Sequence, residues 1–134
     1  RTAFGIGALL VGIYDPVQDC FQTIAKIGTG LTDEEWCRYK QMADALVVTH
    51  QPVNVVCEKG LRPDVWVAPT IVCMIRADDI TRSPVHTAGK QGSLPGYALR
   101  FPRIMGSRPD KDATQTTSPA EIEQLYGLQN LKSR

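Results

Sequence analysis

Apolar positions along this chain run together, alternate, or recur every three to four residues, and each habit marks an element. "IGALLVGIYD" (6–15) is almost wholly apolar and predicts a strand buried on both faces or nearly so. "DPVQD" (15–19) supplies turn chemistry: an Asp, then a Pro that fixes φ. "CFQTIAKIG" (20–28) alternates weakly and predicts the returning strand of a hairpin, broken by "GTG" (28–30). In "LTDEEW", Thr32 can cap a helix, Glu35 can close the capping box, and Leu31 and Trp36 hold the staple positions. Trp36, Tyr39, Ala43 and Leu46 follow at helical spacing, so an amphipathic helix is expected from Asp33 to about Leu46.

Three further strands are expected at 53–58, 65–68 and 70–77, punctuated by Pro52, Lys59-Gly60, Pro63-Asp64 and Pro69. Residues 78–96 read as a loop leading to a strand at 97–101. Ser118, Pro119 and Glu121 open a second helix, with Ile122, Leu125 and Tyr126 on one face, running to about Asn130. Short strands with regular turn punctuation argue for a small β-barrel or sandwich. One helix between strands suits a mainly β fold with a small five-stranded barrel of the oligonucleotide-binding (OB) type, closed off by a C-terminal helix.

The 134 residues suffice for one domain with a core, expected to span 1–134. Net charge is +1, so overall charge names no partner, but its distribution does. Arg82, Lys90, Arg100, Arg103, Arg108 and Lys111 face only Asp110 and Asp112 between Thr81 and Asp112. A local excess of this kind attracts phosphates, because the field is set by charges within a Debye length of about 8–10 Å. The four cysteines are spaced 17, 20 and 16 residues apart without a CxxC pair, which gives a zinc site no support. Reduced, mostly buried thiols are expected, in a cytoplasmic (nucleoid) or nuclear setting. No apolar run reaches the ~18–20 residues of a membrane span, and no membrane partner is expected.

Catalytic patterns are scarce. His50 and His86 are the only histidines, and no nucleophile-elbow, Walker or HExxH pattern occurs. His86 reads as a loop or packing residue, and Ser83 and Thr87 have no evident activating partner. Asp33, Glu34 and Glu35 answer to the helix macrodipole rather than to a metal. Asp78-Asp79 can solvate a strand end or hold a metal or another ligand. The basic stretch "LRFPRIMGSRPDK" (99–111) is the sharper feature. Arg100 on a strand points opposite to Phe101 and Arg103, and Pro102 places that strand at an edge or ends it. "GSRPDK" then reads as a flexible loop carrying Arg108 and Lys111, an arginine fork and a lysine point charge. A solvated basic loop and a polyphosphate site both fit it at this level.

The same stretch resembles the last motif of ATP-dependent DNA ligases, an RFPR segment followed by RxDK, here Arg108-Pro109-Asp110-Lys111. "GALLVGIYDP", "FQTIAKIGTGLTDEEW", "PDVWVAP" and "RADDITRSPVHTAG" resemble that family's C-terminal region in the same order, so the likeness spans essentially the whole chain. It implies the OB-fold domain that follows the adenylation domain of a nucleotidyltransferase serving DNA replication, repair and recombination. In the family a lysine of a KxDG motif attacks ATP, AMP passes to the 5′-phosphate of a nick, and the 3′-hydroxyl displaces it. This sequence has no KxDG, so the chain alone is expected to be inactive. A strand and a lysine pair that precede "RTAFGIG" in the family are also missing, and the barrel's first strand is expected to be missing with them.

By resemblance, Arg108 and Lys111 would hold the β and γ phosphates of ATP as the pyrophosphate leaves, with Asp110 orienting one of these cations or a neighbouring loop and Arg100 adding a phosphate contact. Lys26, Arg100, Phe101 and Arg103 would engage nicked double-stranded DNA, Phe101 and Arg100 at the minor groove. Pro109 stiffens the RxDK loop, and "IMGS" (104–107) is less basic than a strong DNA contact. ATP and Mg2+ belong to the full-length enzyme, with neither expected on this domain alone and no metal ligand set in it. A monomer partnered by the adenylation domain of the same polypeptide is expected. A non-catalytic nucleic-acid-binding OB module, or the C-terminal domain of an RNA ligase or capping nucleotidyltransferase, is the alternative; "ADDITRSPVHTAG" favours the DNA ligases.

Overall fold

The computed structural model describes residues 7–28 and 30–132. Ile6, assigned above to the first strand, and Thr29 of "GTG" lie outside the described residues. In chain order the elements are β1 (Leu9–Asp15), β2 (Cys20–Ile27), α1 (Asp33–Asp44), β3 (Val47–Val48), β4 (Val55–Val56), β5 (Trp66–Val67), β6 (Cys73–Arg76), β7 (Asp79–Ser83), β8 (Gly96–Arg100), β9 (Arg103–Ser107) and α2 (Pro119–Lys132). The fold is mainly β, as the pattern predicts. Among the described residues the ladders form four small sheets: β1-β2-β4, β3-β5, β6-β9 and β7-β8. No helix among them is long and apolar enough to cross a membrane.

β1 and β2 form the expected antiparallel hairpin, with Asp15 opposite Cys20. Asp15 makes the turn: its Oδ1 accepts from the backbone N–H of Val17 (2.9 Å) and Gln18 (3.3 Å), and its Oδ2 accepts from Gln22 Nε2 (3.1 Å). The register shifts between Val11 and Gly12, where a Cβ on Gly12 would stand 2.5 Å from the Gln22 carbonyl oxygen. β2 is buried along most of its length, and Lys26 is its exposed residue.

The capping box of α1 is present: Thr32 Oγ1 accepts from Glu35 N–H (3.2 Å) and Glu35 Oε1 accepts from Thr32 N–H (2.9 Å). The Thr32 N–H holds the Glu35 carboxyl below its ordinary value. Trp36 and Tyr39 are buried as the spacing requires. The helix stops at Asp44 rather than near Leu46, because Val47-Val48 leave to pair with Trp66-Val67.

Two strands escape the sequence pattern. β7 lies inside the stretch read as a loop, and β9 occupies most of the segment between Pro102 and Arg108. β6 and β7 run antiparallel to β9 and β8: Arg76 faces Arg103 and Asp79 faces Arg100, so the register passes from one small sheet to the other without a slip. The two sheets are thus one long hairpin interrupted at a joint. On one side of the joint are Ala77 and Asp78; on the other are Phe101, with φ of 52°, and Pro102. Pro102 has no N–H to give the ladder and the left-handed Phe101 turns its rung away, which is why pairing fails there and resumes beyond.

The core gathers Ile13, Ile24, Ala25 and Ile27 from the first hairpin, Tyr39 from α1, Ile80, Tyr97 and Ile104 from the long hairpin, Ala88, and Ile122 from α2. Ser118 and Glu121 cap α2 reciprocally. Ile122 is buried and Tyr126 packs against the core, whereas Leu125 is 51% exposed. A buried polar knot ties β2 to the segment before β8. Thr23 N–H donates to Thr87 Oγ1 (2.9 Å), Thr87 N–H donates to Thr23 Oγ1 (3.2 Å), and His86 Nδ1 lies 3.2 Å from Thr23 Oγ1. Burial holds His86 below its ordinary pKa. His86 is therefore a packing residue, as the sequence reading holds.

The thiols correct the expectation of mostly buried cysteines. All four are free, but only Cys20 is buried; Cys37 is exposed on α1, and Cys57 and Cys73 are half-buried. Position 37 falls on the outward face of a helix whose inward face is already filled by Trp36 and Tyr39.

Candidate nucleotide and DNA interface

The basic stretch divides at β9. At the C-terminal end of that strand, Arg108 N–H donates to the Val72 carbonyl (2.7 Å) and Lys111 N–H to the Arg108 carbonyl (3.2 Å), so the RxDK segment is a tethered turn. The flexible loop expected over 106–111 is corrected accordingly. Within the turn, Arg108 Nε and Nη2 reach the two Asp110 carboxylate oxygens at 3.0 and 2.8 Å. Arg108's hydrogen bonds, aided by the local backbone, pull Asp110 down to about 2, and Asp110 in turn raises Arg108. Lys111 makes no ion pair among the described residues and is exposed. Arg108 and Lys111 line a groove of about 1640 Å³ that also touches Leu9, Val11, Ile71 and Ile75. Asp110 takes the Nε/Nη2 edge of the guanidinium and so orientates it, leaving the Nη1 side beside the exposed Lys111 ammonium as donors for phosphate oxygens.

At the other end of β9 the joint carries Arg100, Phe101 and Arg103. The expected alternation, with Arg100 opposite to Phe101, does not hold: the strand ends at Arg100, and the Arg100 guanidinium lies 5.1 Å over the Phe101 ring. A residue in the left-handed region breaks the two-residue period on which that expectation rests. Phe101 itself is 59% exposed, an aromatic ring offered to solvent at a turn. Arg103 Nη1 donates to the Phe101 carbonyl (3.1 Å) and Nη2 to Asp78 Oδ1 (3.2 Å). Arg100 Nη1 stands 3.8 Å from Asp79 Oδ2. Lys26 and Gly28 of the first hairpin join Asp78, Phe101, Pro102 and Arg103 around a shallow recess of about 560 Å³. Lys26, far away in sequence, is thereby brought to the joint.

The two cationic groups are held apart by the five residues of β9, roughly 16 Å at ~3.3 Å per residue. Asp78 and Asp79, left open between strand-end and ligand roles by sequence, are the partners of Arg103 and Arg100. Their assignment needs β7, which the pattern hides. Among the described residues no group of three or more His, Cys, Asp or Glu is placed to hold a metal ion.

A family model described as "ATP dependent DNA ligase C terminal region" matches residues 2–111. A probable DNA ligase of Dictyoglomus thermophilum is 51% identical over 127 residues, covering 94% of this chain and 22% of that protein. A DNA ligase of Ignicoccus hospitalis is 39% identical over 128 residues, covering 94% and 21%. The chain therefore spans about a fifth of the length of these curated relatives. Among solved structures, a mycobacterial DNA ligase D complexed with ATP and MES superposes with TM-score 0.60 at 26% identity, covering 87% of this chain and 34% of that one. The ligase domain of M. tuberculosis LigD shares the fold at TM-score 0.58 and 24% identity, covering 84% and 33%.

Proposed function

We propose, from the premise that this chain belongs to the ATP-dependent DNA ligase family as its C-terminal region, that it carries two cationic devices used at different steps of nick sealing. The observation behind this reading is the separation of Arg108 and Lys111 from Arg100, Phe101 and Arg103 by the length of β9. One rigid strand cannot bring both ends to one phosphate, so two encounters are implied.

The RxDK turn suits the first step. When a nucleophile of the longer protein attacks the α-phosphate of ATP, negative charge collects on the departing pyrophosphate. Arg108, orientated by Asp110 on its Nε/Nη2 edge, offers its Nη1 side, and Lys111 adds a point charge; both stabilise that charge more than the ground state. ATP phosphates fit these donors. Among the described residues no group of three or more His, Cys, Asp or Glu side chains is placed to hold Mg2+.

The joint suits nicked duplex. An exposed ring set beside two guanidinium groups can press into the minor groove at an interrupted base step while Arg100, Arg103 and Lys26 meet backbone phosphates. A nick lowers the cost of opening that step. The adenylation domain of the same polypeptide is the partner that each device must meet in turn. The experiment that separates the roles resolves the steps in full-length enzyme: transfer of label from ATP to protein, against sealing of a nick that already carries 5′-adenylate. Lys111→Ala should impair the former and Phe101→Ala the latter; the reverse pattern would refute the assignment.

A further inference from the structure

Asp78 and Asp79 sit opposite the very residues assigned above to DNA, and their placement is unusual. Arg76, Arg100, Arg103 and Lys26 gather at the joint, and Arg76 faces Arg103 directly across the ladder, a like-charge pair that disfavours pairing. The two carboxylates offset this. Asp78 takes Arg103 at 3.2 Å, and Asp79 faces Arg100 across the ladder at 3.8 Å. Asp78 N–H also donates to the Arg100 carbonyl (2.9 Å), which fixes the acidic pair against the end of β8. Both arginines are about half exposed, so both pairs are open to water and to competing anions.

Asp79 adds a second observation. Its Oδ1 is buried and has no hydrogen-bond partner among the described residues. A buried carboxylate oxygen without a partner costs stability, which sets it against the attraction of the other oxygen to Arg100.

We propose that Asp78 and Asp79 are specificity-determining residues: they act as built-in competitors for phosphate, occupying Arg103 and Arg100 until Phe101 finds an opened base step. On intact duplex, phosphates must displace two carboxylates and gain no place for the ring, so the exchange is unfavourable. At a nick the ring's insertion supplies the missing term and both guanidinium groups transfer from carboxylate to phosphate. This inference rests on the DNA role assigned above to the joint. The carboxylates act through the arginines and touch no reacting atom.

The test uses the full-length ligase with Asp78→Asn/Asp79→Asn, Asp79→Asn alone and Phe101→Ala, titrated with intact and singly nicked duplexes over a range of salt. In the double variant, intact duplex should bind more tightly, its salt slope should steepen by about two, one for each freed arginine, and the nicked-over-intact preference should shrink. Asp79→Asn alone, which frees one arginine, should steepen the slope by about one. An unchanged preference and slope in the double variant, with Phe101→Ala still weakening nicked binding, overturns this inference and leaves the DNA role of the joint standing. If Phe101→Ala binds nicked duplex normally, that role falls and the inference falls with it. A lower melting temperature in Asp79→Asn with equal weakening on both duplexes marks the carboxylates as structural and also overturns it.

Discussion

Arg108 and Asp110 face one another across a single proline, with two nitrogens of the guanidinium on the two oxygens of the carboxylate at 3.0 and 2.8 Å. Pro109 stiffens the link between them, so the fork is set before any ligand arrives. The Asp110 carboxyl is held at about 2, below its ordinary value near 3.8, chiefly by the Arg108 hydrogen bonds. A depressed acid contributes fully above its unfolded value and loses its contribution only as pH falls through the folded one. The pair should therefore persist at pH 4. Carboxyl NMR of the folded protein should place the Asp110 midpoint near 2, and a midpoint near 4 would show that the fork is not formed. Asp110→Asn should keep the turn but loosen Arg108, lowering adenylation of the full-length enzyme less than Arg108→Ala does.

His86 gives a second pH dependence. Burial holds its folded pKa below the ordinary value of about 6.5. The folded state then binds fewer protons than the unfolded chain, so stability is full above pH 6.5 and declines below it. Denaturant unfolding of the unsubstituted protein should weaken between pH 7 and 5, and His86→Gln should flatten that slope. An equal slope in both proteins would remove His86 as its cause.

Gln129 of α2 clamps β7 with a two-way bond: its Nε2 donates to the Ile80 carbonyl (2.8 Å) and its Oε1 accepts from the Ile80 N–H (2.7 Å). The side chain behaves as a one-residue strand on the edge that β8 leaves uncovered. Gln129→Ala leaves both backbone groups unpaired and should cost about 1–3 kcal/mol. Hydrogen exchange at Ile80 should accelerate in the variant more than at Ile24 in β2; uniform acceleration would mean that the clamp is not local.

The first hairpin, α1 and α2 could be read from the chain because their signals are local: Asp15-Pro16 for the turn, Thr32 with Glu35, Ser118 with Glu121. β7 and β9 could not. "DITRS" and "RIMGS" carry one strongly buried residue each, Ile80 and Ile104, and become strands only by pairing with β8 and β6. The candidate site divides the same way. Arg108, Asp110 and Lys111 stand within four residues and are visible as a motif. The company of Lys26 with Phe101, and of Asp78 and Asp79 with Arg103 and Arg100, is set by the long hairpin and has no signature in spacing.

Lys111 carries the central claim, since it is the exposed cation beside a fork already set by Asp110. In the full-length enzyme, Lys111→Ala should slow self-adenylation by ATP by about 10²–10³-fold, the usual cost of removing one donor from a developing charge. Sealing of a nick already bearing 5′-adenylate should remain close to that of the unsubstituted enzyme. Equal loss in the two assays would contradict a leaving-group role for the RxDK turn.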